Sequence, residues 1–194
     1  MFLKNDFVSL GYDYSTVWGQ PAIGYPTLLW LHPENRVNFP ALSGTGTSGD
    51  PYLISSVSDL VSFASSPVYQ SYNVYLKLTQ DLDLGGKALP LIGSPSLPFR
   101  GNFDGNGKTI SNFTLNWAHL DDVGFFRLID RDGGVHNLGL SSFTVKGRKR
   151  VGGLAGVNSG VNSGVNSEAV SEIEIAGGTL TAESEVGGAV GSNT

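Results

Sequence analysis

From Val74 onward apolar and polar residues alternate with a period of two. Val74, Leu76 and Leu78 alternate with Tyr75 and Lys77, then Leu82 and Leu84 with Asp81 and Asp83. Alternation of this kind puts one set of side chains on each face of a strand. Gly85-Gly86 and the stretch from Pro90 to Pro98 read as turns, and Tyr52-Leu-Ile54 is a shorter strand signal upstream. Ser56-Val-Ser-Asp59, ahead of Leu60, Val61 and Phe63, has the form of a capping box. The serine hydroxyl would satisfy a free backbone N–H, and the aspartate would favour the positive end of the helix. A short helix near 57–66, ended by Pro67, is the one helix predicted.

The pattern also repeats. Ile110-Ser-Asn-Phe-Thr-Leu115 recurs as Val135-His-Asn-Leu-Gly-Leu140 and as Val170-Ser-Glu-Ile-Glu-Ile175. A second element, Val123-Gly-Phe-Phe126, recurs as Val151-Gly-Gly-Leu154 and Val186-Gly-Gly-Ala189, and the two alternate three times. First-to-second offsets are 13, 16 and 16 residues, and second-to-first offsets 12 and 19. The longer gap holds a reiterated Val-Asn-Ser-Gly tetrapeptide between Gly156 and Ser167; removing two copies shortens it to 11, as expected of a loop expanded on a regular coil.

Elements of four to six residues cannot bury their own inward faces. Stacked at about 4.8 Å, their Val, Ile, Leu and Phe residues would merge into one column. The fold class expected is therefore all-β, a right-handed parallel β-helix with one short capping helix and an irregular aromatic N-terminal segment. Gly124, Gly152, Gly153, Gly187 and Gly188 are expected at tight corners with positive φ. Asn112 and Asn137 are expected to stack as a ladder that Glu172 interrupts.

Composition agrees with a turn-rich β chain. Of 194 residues, 27 are glycine and only 15% are charged, against roughly 25% in an average soluble protein. A net charge of −5 offers no basic footprint for nucleic acid, and the cluster Lys146, Arg148, Lys149, Arg150 reads as a solvated loop. Without cysteine there is no disulfide, thiolate nucleophile or Cys-based metal site. No apolar run approaches the ~20 residues of a membrane span, and Met1–Leu10 lacks the apolar core of a signal peptide.

Val151-Gly-Gly-Leu-Ala-Gly-Val-Asn-Ser-Gly160 and Val186-Gly-Gly-Ala-Val-Gly-Ser-Asn193 resemble the GLUG motif of bacterial surface proteins. Phe99-Arg-Gly-Asn-Phe-Asp-Gly-Asn-Gly-Lys-Thr-Ile-Ser-Asn-Phe113 and Gly46-Thr-Ser-Gly-Asp-Pro-Tyr-Leu-Ile54 are similar to segments that precede GLUG repeats. The resemblance covers roughly 44–194, with Ala189 departing from the larger apolar residue usual there. Residues 11–30, with Trp18, Gly24-Tyr-Pro-Thr-Leu28 and Trp30, are similar to the end of such a module. The resemblance thus implies three segments: 1–41, the end of a preceding module; 42–98, the opening of the β-helix; and 99–194, repeats of GLUG type. It also implies large exported adhesins and related proteins, and it carries over no catalytic residue.

Candidate chemistry is sparse. Asp104-Gly-Asn-Gly107 suggests a calcium loop, but Lys108 and Leu115 stand at the fifth and twelfth positions, where ligands are required. A glycine-assisted turn is the expectation. Asp81 and Asp83 share a strand face about 7 Å apart, a carboxylate spacing some enzymes use, and also one that water-facing carboxylates show. Asp121, Asp122, Asp130 and Asp132 read as loop polarity, and Arg100, Lys108, Arg127 and Arg131 show no register with acids. His32, His119 and His136 lack metal-ligand spacing, with His136 expected exposed and idle. Trp117, Tyr72 and Tyr75 are candidates for a sugar-stacking platform.

These readings name no catalytic, cofactor-binding or metal residue, and no cofactor. They predict a non-enzymatic extracellular structural and adhesive module of a bacterial cell surface. It would stack end to end on copies of itself through open solenoid ends, with segment 1–40 as plug. The alternative, from another class, is a domain that binds glycans or cleaves polysaccharides.

Overall fold

Segments with period-two patterning become strands that pair one coil away, because each is too short to bury its inward face alone. In the computed structural model, residues 18–19, 27–28, 41–159 and 170–193 are described. Two units divide the chain, residues 1–39 and 40–194. In the first, β1 (Trp18–Gly19) pairs antiparallel with β2 (Thr27–Leu28). The aromatic segment's remaining expectations, and the Val-Asn-Ser-Gly reiteration beyond Ser159, lie outside the described residues.

In the second unit the strands form a parallel β-solenoid of about four turns. One ladder runs β3 (Tyr52–Ile54), β4 (Tyr75–Leu78), β6 (Asn102–Ser111), β9 (Gly134–Lys146), β12 (Ser171–Thr181). Beside it, β5 (Leu82–Asp83) pairs with the end of β6, and β7 (Thr114–Asn116) with the end of β9. Further round the coil, β8 (Phe126–Ile129), β11 (Ala155–Asn158) and β14 (Val190–Asn193) make a second ladder. A third joins β10 (Lys149–Gly152) to β13 (Ser184–Gly187).

The Val-Gly elements lie over one another as the repeat predicts: Val123 bridges Val151, and Val151 pairs with Val186. The other repeat is in register only between its second and third copies. Val135 stacks on Phe103, and Ile110 on Leu140 and then Ile175. The true counterpart of Ile110–Leu115 is therefore Leu140-Ser-Ser-Phe-Thr-Val145. Asn112 and Asn137 consequently fall in different columns and form no ladder.

Corners are made differently from the expectation too. Gly124, Gly152, Gly153, Gly187 and Gly188 all lack positive φ. At several of them glycine is required by close approach instead: a Cβ on Gly152 would lie 2.2 Å from the Ala155 carbonyl oxygen, and one on Gly124 2.6 Å from the Ala155 carbonyl carbon. Positive φ falls mostly on other residue types, one per coil in register: Asn112, Ser142, Gly177 at one corner and Asp122, Arg150, Glu185 at another.

Inside, Phe113 and Phe143 stack at 5.1 Å with planes 15° apart, and Gly178 follows in that column. Helix α1 (Val57–Ser65) forms as predicted: the Ser56 hydroxyl accepts the Asp59 N–H at 3.1 Å, and Asp59 accepts the Ser55 N–H. Pro67 opens a 3-10 turn, Pro67–Gln70. Buried Leu60 and Phe63 turn inward, and the Phe63 ring meets Phe99, Phe103 and Phe126. Gln70 ties the helix down, donating to the Phe63 and Ala64 carbonyls and accepting from the Gly93 N–H. The helix thus caps the end at β3. At the other end, among the described residues, β12, β13 and β14 have a partner strand on one side only.

Candidate functional site

Alternation sends every second side chain of β4, β6 and β9 outward, and parallel register lines these residues up across coils. On this face Tyr75, Lys77, Asn102, Asp104 and His136, with Ser48 and Pro51 of the preceding loop, line a groove of about 240 Å³. It is smaller than the 300–1,000 Å³ typical of buried ligand pockets, so it could hold one ring or one short polar group.

Asp104 is its centre. Its carboxylate lies 3.4 Å from Lys77 Nζ and 3.6 Å from His136 Nδ1, accepts the Asn106 N–H at 2.7 Å, and lies 3.4 Å from the Asn137 amide. Burial raises its pKa, but the Asn106 N–H, the Asn137 amide, His136 and Lys77 outweigh this and hold it below the usual carboxylate range. His136 faces outward as expected but is not idle, because Asp104 and the Asn137 amide both reach its ring. The 104–107 segment is not the separate turn expected: it lies inside β6 as a bulge, with Asn106 and Gly107 at positive φ and a register shift between Asp104 and Lys108, because the coils on both sides keep the strand paired through it.

A second cluster occupies the Asp122–Arg150–Glu185 corner. Arg148 donates to both Asp121 oxygens at 2.7 and 3.1 Å, and Arg150 pairs with Asp122. The Arg148 guanidinium holds Asp121 below the usual carboxylate range. The basic run is solvated, as expected, but only in part a loop: Lys146 ends β9, Gly147 and Arg148 form the bend, Lys149 and Arg150 open β10, and Asp121 and Asp122, assigned to loop polarity, are partners of its arginines. Arg100 likewise meets Asp130 and Asp132, giving the register with acids that the sequence had hidden.

No family model matches the chain, and no solved structure matches it. It is 34% identical over 119 residues to Halomucin of Haloquadratum walsbyi, covering 60% of this chain and 1% of that protein. It is 35% identical over 124 residues to a putative Gly-rich membrane protein of Evansella cellulosilytica, covering 59% of this chain and 14% of that one. The chain therefore spans a small fraction of either relative's length.

Other candidates are accounted for singly. Asp81 accepts the Thr109 N–H, and Asp83 the Gly85 N–H and the Asn112 amide, so both carboxylates tie one coil to the next. The three-ring platform is not assembled. Tyr75 lines the groove, Tyr72 is exposed with the Arg100 guanidinium 5.6 Å from its ring centre, and the Trp117 backbone N–H donates to the Lys146 carbonyl at the far end of β9. Among the described residues no group of three or more His, Asp or Glu is placed to hold a metal, and no helix is long and apolar enough to cross a membrane.

Proposed function

We propose that this chain is a non-enzymatic structural and adhesive module of an extracellular or cell-surface protein, a stiff spacer that presents its outer faces. The observation that carries this reading is the ladder running without a break from β3 to β12, with backbone hydrogen bonds along the long axis and a filled lumen. Bending such a rod requires stretching many hydrogen bonds at once. The names of the two relatives, a halomucin and a Gly-rich membrane protein, support a surface setting, and the GLUG resemblance is part of the same proposal. Limited proteolysis tests it: residues 41–159 should survive as a resistant core. Rapid cleavage within β6 or β9 would reject a rigid spacer.

A second reading rests on the groove, where an aromatic ring, a carboxylate, an amide and an imidazole line one surface. That set suits a sugar, whose C–H face stacks on a ring while its hydroxyls find donors and acceptors. A glycan array paired with an assay for sugar release separates the readings. Binding lost in Tyr75→Ala would favour the groove, and turnover of any polysaccharide would overturn the non-enzymatic proposal.

A further inference from the structure

The last described coil has an open side. β12, β13 and β14 pair only with β9, β10 and β11, so the outward backbone groups of these strands have no strand partner among the described residues. Its inward residues are correspondingly uncovered: Ile173, Ile175 and Leu180 are half-buried and Val186 is 52% exposed, whereas Val123 and Val151 of the same column are fully buried. Bare edges of this kind attract strands.

The charge pattern selects which strand. At one corner the sign alternates coil by coil, from Asp121 and Asp122 to Arg148 and Arg150, which pair with them, and then to Glu183 and Glu185. The glutamates act on the coil below, since Glu183 and Glu185 raise the pKa of Arg148 and Arg150 behind the stronger effect of Asp121 and Asp122. Between Arg150 and Thr194 the sequence contains no lysine or arginine, so the charged residues of the described open coil, Glu172, Glu174, Glu183 and Glu185, are all acidic.

We propose that the free side of β12–β14 is a docking edge for one further parallel β-coil that carries Lys or Arg opposite Glu183 and Glu185. Backbone hydrogen bonds would supply the attraction, as in strand addition generally, and the corner charges the choice of partner. A second copy of this chain is a poor occupant: its capped end presents α1, and its open end brings glutamates against glutamates.

The chain's own basic coil serves as the probe. The full chain is extended, through a glycine–serine linker, by a copy of residues 134–158, either unaltered or with Arg148→Glu and Arg150→Glu in the copy. Glutamate already occupies the left-handed corner at Glu185, so the reversal is tolerated by the backbone. The unaltered copy should slow amide exchange across β12–β14 and raise Tm by about 2–4 °C over the reversed copy. Glu183→Lys with Glu185→Lys in the host should invert that preference. Equal protection by the two copies, protection by neither, or no inversion in the reversed host overturns the proposal. So does association of the unextended chain through β12–β14 at neutral pH in sedimentation, which is the self-stacking anticipated from the sequence.

Discussion

Ser142 stands with φ +51 in a column that Asn112 and Gly177 share. A left-handed conformation costs an ordinary L-residue roughly 1–2 kcal/mol, and asparagine less, because its amide bonds locally. Ser142→Asn should therefore stabilise the protein by about 0.5 kcal/mol, read as a higher denaturation midpoint with unchanged slope. The glycines make the opposite case. In Gly152→Ala the new methyl meets the Ala155 carbonyl oxygen at 2.2 Å, and no flexible side chain is there to yield. A loss of about 3 kcal/mol or more is expected. Gly188→Ala, with open space around the new atom, should change stability by less than about 0.5 kcal/mol. Together these variants separate close approach from backbone conformation as the reason for glycine.

Strands and their stacking carry the cohesion, and depth within the stack sets the cost of damage. Phe143 lies against Phe113 below and beneath Gly178 above, and only 3% of it is exposed. Phe143→Ala should cost about 3–5 kcal/mol. Ile175→Ala, on the half-covered outer coil, should cost well under half as much in the same denaturation series. The short elements were legible: β3, α1 and the alternation in β4 follow from period and capping alone. The register of the first repeat was obscured by a decoy, because Val135-His-Asn-Leu imitates Ile110-Ser-Asn-Phe closely enough to hide the better match at Leu140-Ser-Ser-Phe. Nothing local in Ser142, Arg150 or Glu185 announces a left-handed bend, since Ser142 and Arg150 are held there by the coils on either side and Glu185 by the coil it pairs with. The Arg148–Asp121 pair, 27 residues apart, becomes visible only once that register is known.

Across the whole solenoid, Asp83, Asp104 and Asp121 bind coil to coil, and with Asp59 at the start of α1 they should make the protein sensitive to acid. Asp59, Asp83, Asp104 and Asp121 all titrate below their ordinary value in the fold: Asp83 chiefly through the Asn112 amide, Asp121 through Arg148, and Asp59 through its bonds to Ser55 and Ser56 despite the opposing effect of burial. A depressed folded pKa means stability that is complete above the unfolded value, near 4, and is lost as pH falls through the lower folded values. Thermal midpoints should hold steady from pH 7 to about 5 and then decline, with Asp121→Asn flattening part of that decline. Composition had pointed to a β chain that turns often; it could not reveal that Asp83, Asp104, Asp121 and Asp122 are spent on joining coils. The helix at one extremity has its own consequence. With a helix over one end and, among the described residues, no strand paired beyond β12–β14 at the other, the stack has a direction, so unravelling of these coils should begin at the glutamate-bearing rim and travel one turn at a time toward α1.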